Sequence, residues 1–337
     1  MAKTMQRWVM KDFGAQYLAL EEVAVPQPGP GEVLVKVAAA GINYRDKMMV
    51  ENGMGMPLEW PFTPGSDMAG AVVETGRGVS RAEVGDRVIS TFWHGWTDGP
   101  APRLLAAQGG PLPGVFAEYV VLPEDDVVQV PSTLNDIEAS TLTCAGLTAW
   151  FALVETGHVY AGQTVVVQGT GGVALFAVQL AAAHGARVIV TSSSDDKLAA
   201  ARKLGAAHGI NRNTHADWAA EVQRLTGGYG ADHVIELAGG GNIALSLAAL
   251  AKGGRISVVG VLDETEIGGT SIPFLQKRPT VQGIGVGHRR ALEDLVRAVD
   301  QIGLKPVIDS TYAFAELPQA LAHQAQGGLG KIVLRVG

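Results

Sequence analysis

The hydrophobic rhythm of the chain changes near residue 160. From residue 1 to about 130, apolar positions come in short runs broken by Gly and Pro. Residues 18–25 alternate apolar with polar, 26–31 read as a turn, and 33–38 as the next strand. Segments 69–75, 86–90, 118–122 and 127–130 follow in the same style. Many short strands closed by turn residues predict a β-barrel or sandwich-like unit. Residues 93–115 carry little periodicity, and a loop that long is uncommon in a compact domain unless it has a function.

Beyond 160 the pattern becomes strand, helix, strand. Residues 164–168 form a fully apolar strand, and 172–184 a helix that is hydrophobic almost all round. Strands at 188–191, 208–211, 233–237, 255–260 and 280–286 alternate with helices at 195–204, 217–225 and 242–251. Apolar strands alternating with helices predict a parallel sheet covered on both faces. The tail, 331–336, is a lone strand expected to return to the first unit. The fold class expected is therefore α/β, a doubly wound parallel sheet plus a β-barrel domain.

Length agrees with two domains, since 337 residues exceed what one core usually holds. The net charge of −7 argues against a nucleic-acid partner, which needs a positive field over the phosphates. A single cysteine, Cys144, excludes an internal disulfide framework and a cysteine-rich zinc site. No apolar run approaches the roughly 18 residues of a membrane span, and the first residues lack a signal-peptide pattern. The expectation is a cytoplasmic protein without a membrane partner.

The strongest local signal is Gly169-Thr170-Gly171-Gly172-Val173-Ala174, directly after one strand and opening a helix. In a dinucleotide-binding turn the first Gly permits the bend and the second lets backbone approach the pyrophosphate. The helix N-terminus then offers free N–H groups to the phosphates. An NAD site usually places Asp or Glu about 20 residues on. Here that position falls on Ser192, within Thr-Ser192-Ser193-Ser194-Asp195-Asp196-Lys197. Without the acid, Ser192 and Ser193 can donate to a 2′-phosphate, and Lys197 and Arg212 can neutralise it. The reading favours NADPH over NADH. The plainer alternative is that 192–195 only caps a helix.

With those residues in place, the chain resembles the medium-chain dehydrogenase/reductase superfamily. The markers run along nearly its whole length: Pro30-Gly-Glu-Val-Leu-Val, Ala40-Gly-Ile-Asn-Tyr-Arg-Asp46, Pro64-Gly-Ser-Asp-Met-Ala-Gly, Val84-Gly-Asp-Arg-Val88, Ala117-Glu-Tyr119, Thr148, the Gly169 turn and Gly330-Lys-Ile-Val. The resemblance implies a GroES-like catalytic domain over 1–132 and 307–337, and a Rossmann domain over 133–306. It also implies a homodimer joined through the last Rossmann strand, here 280–286. Cofactor contacts are implied at Asn43, Thr148, Gly169, Thr170, Gly171, Gly172, Val173, Ala238, Gly260, Val261 and Lys331, beside the Ser192, Ser193, Lys197 and Arg212 group.

The zinc-dependent branch holds its catalytic metal at positions that fall on Asn43, Ser66 and Cys144. An amide and a hydroxyl are poor zinc ligands beside imidazole and thiolate, so no zinc is expected. What remains is similar to the zinc-free quinone-oxidoreductase and enoyl-reductase branch, in which an Asn at the position of Asn43 lies near the nicotinamide. Tyr44 is either a proton donor or a wall of the pocket; the Tyr of some relatives falls nearer Met49. Trp60, Phe62, Trp93, His94 and Trp96 either line the substrate side or pack the long loop onto the barrel.

Three functions stay open at this point. The first is an NADPH-dependent reductase of activated C=C bonds in enones or quinones, acting on a small molecule. The second is a zinc-free alcohol dehydrogenase or carbonyl reductase. The third is an NADPH-binding protein of structural or regulatory role.

Overall fold

The computed structural model describes residues 3–260 and 271–337. By packing, the chain divides into Met1–Leu147 with Gly287–Gly337, and Thr148–Val286. Among the described residues no helix is long and apolar enough to cross a membrane.

The first unit is built on a mostly antiparallel sheet, the GroES-like half of the fold. Its order is Ile308–Ala313, Lys331–Arg335, Glu32–Ile42, Asp67–Thr75, Arg87–Ser90, Val127–Gln129, with Tyr119–Pro123 also paired to Glu32–Ile42. The tail strand does return to this unit, placing Ile332 opposite Ile42 and Leu334 opposite Ala40. Strand Glu32–Ile42 is central because its Val33, Val35 and Val37 are all buried, against Val72, Val88 and Leu122. Gly70 lies where an added Cβ would meet the Lys36 carbonyl at 2.2 Å, so only glycine lets these two strands close up.

The short apolar runs at 18–25, 33–38, 69–75, 86–90, 118–122 and 127–130 do form strands, but several elements escaped them. Strand Thr4–Met10 and helices Tyr44–Asn52, Arg289–Ile302 and Leu317–Ala325 are additional. Helix Arg289–Ile302 buries Ala291, Leu292, Leu295 and Val299, an amphipathic stripe of helical spacing. It packs with the first unit, where the Asp300 carboxylate accepts from the backbone N–H of Ser132 and Thr133. Segments 133–147 and 287–306 thus fall in the barrel unit, whereas the sequence reading grouped them with the Rossmann domain. The 93–115 loop holds two-residue strands at Ala107–Gln108 and Pro111–Leu112.

The second unit is a six-stranded parallel sheet of Rossmann type. Its order is His208–Asn211, Arg187–Ser192, Thr164–Gln168, Ala231–Glu236, Leu250–Val258, Thr280–Gly283. Strand Thr164–Gln168 is buried throughout, as the unbroken apolar run required. Helix Gly172–Ala183 buries Ala174, Leu175, Phe176, Ala177 and Val178 in succession. Its face pattern is blurred because it is covered on more than one side.

Candidate functional site

In the first unit, a buried polar chain connects the ends of three sheet strands. Asn43 follows strand Glu32–Ile42 and caps helix Tyr44–Asn52, with extended backbone at φ −118°. The motif Asn43-Tyr-Arg-Asp46 is the signal for that cap: the Asp46 carboxylate accepts from the Asn43 backbone N–H at 2.8 Å. Lys331 starts the tail strand and is only 4% exposed. Its ammonium donates to the Ile42 carbonyl at 2.6 Å and to Asn43 Oδ1 at 2.5 Å. The Asn43 amide Nδ2 in turn donates to Ser66 Oγ at 3.3 Å, and Ser66 donates to Asp67 Oδ1 at 2.6 Å. Asp67 Oδ2 accepts the Cys144 backbone N–H at 2.9 Å. Asn43, Asp46, Ser66 and Asp67 are all buried.

Charge in this chain is tightly constrained. Burial pushes the Asp46 carboxyl up to about 7, against the pull of Arg45 and Lys331. Asp67 is also raised by burial, with Lys331 and the Ser66 hydroxyl opposing. The surrounding protein and the Asp67 charge push the Cys144 thiol well above its usual range. Arg45 turns its guanidinium to the carbonyls of Gln108, Gly109 and Gly110 and lies over the Phe92 ring. Tyr44 is half-buried, with the Lys47 ammonium 5.7 Å from its ring centroid.

Asn43, Ser66 and Cys144 do not fit zinc. The Asn43 oxygen is taken by an ammonium, its nitrogen and the Ser66 hydroxyl are joined in a closed hydrogen-bond chain, and the thiol is held protonated. Among the described residues no cluster of His, Cys, Asp and Glu could hold a metal ion.

The second unit carries the glycine turn. Gly169 has φ +77° and donates its backbone N–H to Thr191 at 2.7 Å, tying the turn to the neighbouring strand. Gly171 caps helix Gly172–Ala183 without a side-chain cap, and a Cβ added there would meet nothing within 4 Å. The first-turn N–H groups of this helix have no intrahelical partner, so the open side of Gly171 is a cradle that fits a pyrophosphate. Thr170 is buried, and Thr148 is buried at the start of this unit.

Ser192 and Arg212 come together: the Arg212 backbone N–H donates to the Ser192 carbonyl at 2.8 Å. Ser192 is buried and accepts from the Ser194 N–H, whereas Ser193 is exposed. Ser194 caps the helix bearing Lys197, and Asp195 accepts from the Asn211 amide at 2.9 Å. The backbone N–H groups of Ala238 and Gly260 are committed to Gln168 and Glu236, so only their other atoms are free for a ligand. Val261 lies outside the described residues. Lys331 and Asn43, both expected at the cofactor, are hydrogen-bonded to each other inside the first unit. Asp46, Asp67, Gln168 and Glu236 were not singled out from sequence. Of these only Asp46 had a readable signal, the capping-box spacing.

Comparison with known proteins adds to this geometry. Residues 29–132 match the alcohol dehydrogenase GroES-like domain, and 172–301 match the zinc-binding dehydrogenase family. A zinc-type alcohol dehydrogenase-like protein of Schizosaccharomyces pombe is 40% identical over 342 residues, covering 98% of this chain and 99% of the relative. A quinone oxidoreductase of Sus scrofa is 28% identical, covering 97% of this chain and 96% of that protein. The crystal structure of a putative alcohol dehydrogenase from Sinorhizobium meliloti 1021 superimposes with a TM-score of 0.96 at 55% identity, over 100% of both chains.

Proposed function

The chain belongs to the medium-chain dehydrogenase/reductase superfamily, and on that premise we propose that it is an NADPH-dependent, zinc-independent reductase of activated C=C bonds. Membership makes it an oxidoreductase of a nicotinamide-dependent family. The observation that carries the finer reading is the Lys331 ammonium on Asn43 Oδ1. A fixed cation is bound to Asn43, one of the three positions at which the zinc branch carries its ligands.

When bound, the nicotinamide dinucleotide supplies hydride. The Gly169–Val173 turn and the N-terminus of helix Gly172–Ala183 would hold its pyrophosphate. Ser192, Ser193, Lys197 and Arg212 would hold the 2′-phosphate, Asp195 being drawn toward Asn211. Asn43, Thr148, Ala238, Gly260, Val261 and Lys331 complete the proposed cofactor set. Lys331 and Ser66 fix both ends of the Asn43 amide, so that its orientation is set before any ligand arrives. An enone accepting hydride at its β-carbon develops an enolate oxygen, and such an oxyanion needs a hydrogen-bond donor rather than a metal. Tyr44 is proposed as that donor. A homodimer through the edge strand Thr280–Gly283 and a cytoplasmic setting belong to the same proposal.

The alcohol dehydrogenase names of the relatives favour a second reading, reduction of C=O. Zinc content of the purified protein, paired with NADPH-oxidation rates and product analysis on an enone, a quinone and an aldehyde, decides between them. The expected outcome is substoichiometric zinc and a saturated C–C bond in the product. Stoichiometric zinc, or preference for the aldehyde, overturns the proposal. Replacing Ser192 by Asp is expected to shift preference toward NADH, and an unchanged preference would remove the 2′-phosphate assignment.

A further inference from the structure

Glu236 ends strand Ala231–Glu236 with no solvent exposure. A carboxylate in that position is costly unless its oxygens are saturated with donors. Oε1 accepts from the backbone N–H groups of Ala238 and Gly239, each at 3.0 Å. Asn242 Nδ2 lies 3.0 Å from both oxygens. Oε2 also accepts from Gln168 Nε2 at 2.9 Å and from the Ser246 hydroxyl. The Glu236 carbonyl accepts from Val259 and Gly260.

Gln168 is the residue immediately before Gly169. While its amide nitrogen binds Glu236 and Ser246, its oxygen accepts from the N–H of Leu237 at 3.2 Å and Ala238 at 3.4 Å. The two side chains therefore tie together the ends of strands Thr164–Gln168 and Ala231–Glu236, and the Glu236 backbone carbonyl joins them to the end of Leu250–Val258. These are carboxyl ends, the edge at which open α/β sheets bind ligands. The tied turn 237–241 includes Gly239 and Gly240 at positive φ, and Gly241 has open space where a Cβ would stand. Sheet stability does not demand such an arrangement, because apolar residues of similar volume commonly replace buried polar clusters without loss.

We propose that Glu236, acting with Gln168, is a positioning residue that fixes turns 169–171 and 237–241 in the arrangement that receives the dinucleotide. This rests on the dinucleotide reading of the Gly169 turn. Glu236→Gln turns an amide NH₂ against the donors of Ala238, Gly239 or Asn242. Gln168→Met keeps the buried carboxylate but cuts the link between the turns. Val222→Ala, a cavity in the same core away from both turns, serves as a control for lost stability.

Dissociation constants for NADPH and for NADH are measured by calorimetry on the full chain, well below each variant's melting temperature. Both turn variants are expected to bind roughly tenfold more weakly, with the control unchanged; tenfold corresponds to about 1.4 kcal/mol of lost contact. Steady-state rates should show the loss mainly in KM for the dinucleotide. If the turn variants bind as the wild type does, or lose no more than Val222→Ala, the inference is overturned, and Gln168→Met alone decides if Glu236→Gln does not fold. A wild-type chain that binds neither dinucleotide overturns the reading of the Gly169 turn and this inference with it.

Discussion

Glu236 and Asp46 are both carboxylates without solvent exposure, and the two units treat them in opposite ways. Around Glu236 every approach is a donor: two backbone amides, two side-chain amides and a hydroxyl. Asp46 has one oxygen on the Asn43 N–H, while its Oδ1 is buried with no hydrogen-bond partner among the described residues. Saturating a buried carboxylate rigidifies what surrounds it. Leaving one oxygen bare lets the group take up a proton instead, and burial accordingly raises Asp46 to about 7. The carboxyl edge of the parallel sheet is thus held by a permanent arrangement. The barrel unit keeps a charge balance that depends on the Lys331 cation and on the protonation of its neighbours.

The sharpest way to break that contrast is to remove the cation. Lys331→Met deletes the ammonium that faces Asp46 and Asp67 and leaves Asn43 Oδ1 and the Ile42 carbonyl without their donor. Breaking a buried ion arrangement in this way costs about 3–5 kcal/mol. Urea denaturation near neutral pH should show the loss, and the deficit should shrink in mild acid as the two carboxyls protonate. A loss below about 1 kcal/mol would mean that the barrel cluster is as self-sufficient as the Glu236 cluster, and the contrast would fail.

Gly171→Val probes the other unit with the opposite signature. The position has ordinary φ of −78° and open space around an added Cβ, so the fold should be unaffected. The side chain would stand where backbone must approach a pyrophosphate. Dinucleotide affinity is expected to fall about a hundredfold, near 2.7 kcal/mol, with the melting temperature within a degree or so of wild type. Retained affinity would remove the cradle from the site.

How far each unit could be read from sequence follows the same division. The Rossmann half was legible because its parallel strands are buried on both faces and read as apolar runs, as at 164–168, and because Gly169 and Gly171 mark the turn. The boundaries there moved by a few residues, most at Leu250–Val258, which begins earlier than the apolar run implied. The barrel half gave its strands but hid its helices. Tyr44–Asn52 has no strong apolar stripe, and Arg289–Ile302 does have one but sits within 133–306, the span assigned to the other domain. The polar clusters were hidden for a different reason. Lys331 and Asn43 are 288 residues apart in sequence, and Gln168 and Glu236 are 68 apart. No local pattern announces a partner at that distance. Asn43 and Ser66 were found because the resemblance supplied their positions; Asp67 and Glu236 had nothing comparable.

A substitution at Asp46 tests the proton on that carboxyl directly. In the unfolded chain this carboxyl titrates near its ordinary 3.8, and in the folded chain near 7. Between those values the folded state keeps a proton that the unfolded state has released. The group's contribution to stability is therefore greatest below about pH 4, falls as pH rises through the window, and is lost above about 7. Asp46→Asn keeps an oxygen for the Asn43 N–H and cannot ionise. Arg45, Lys331 and Asp67 face the position in both proteins; removing the Asp46 charge also eases ionisation of Asp67, which adds to the same trend with pH. Melting temperatures measured from pH 4 to pH 8 should favour the variant increasingly toward the alkaline end. Parallel melting curves across that range would show that Asp46 is ionised throughout. The bare oxygen would then have to be stabilised by Lys331 and Arg45 alone, and the two carboxylates would differ only in how many donors they have.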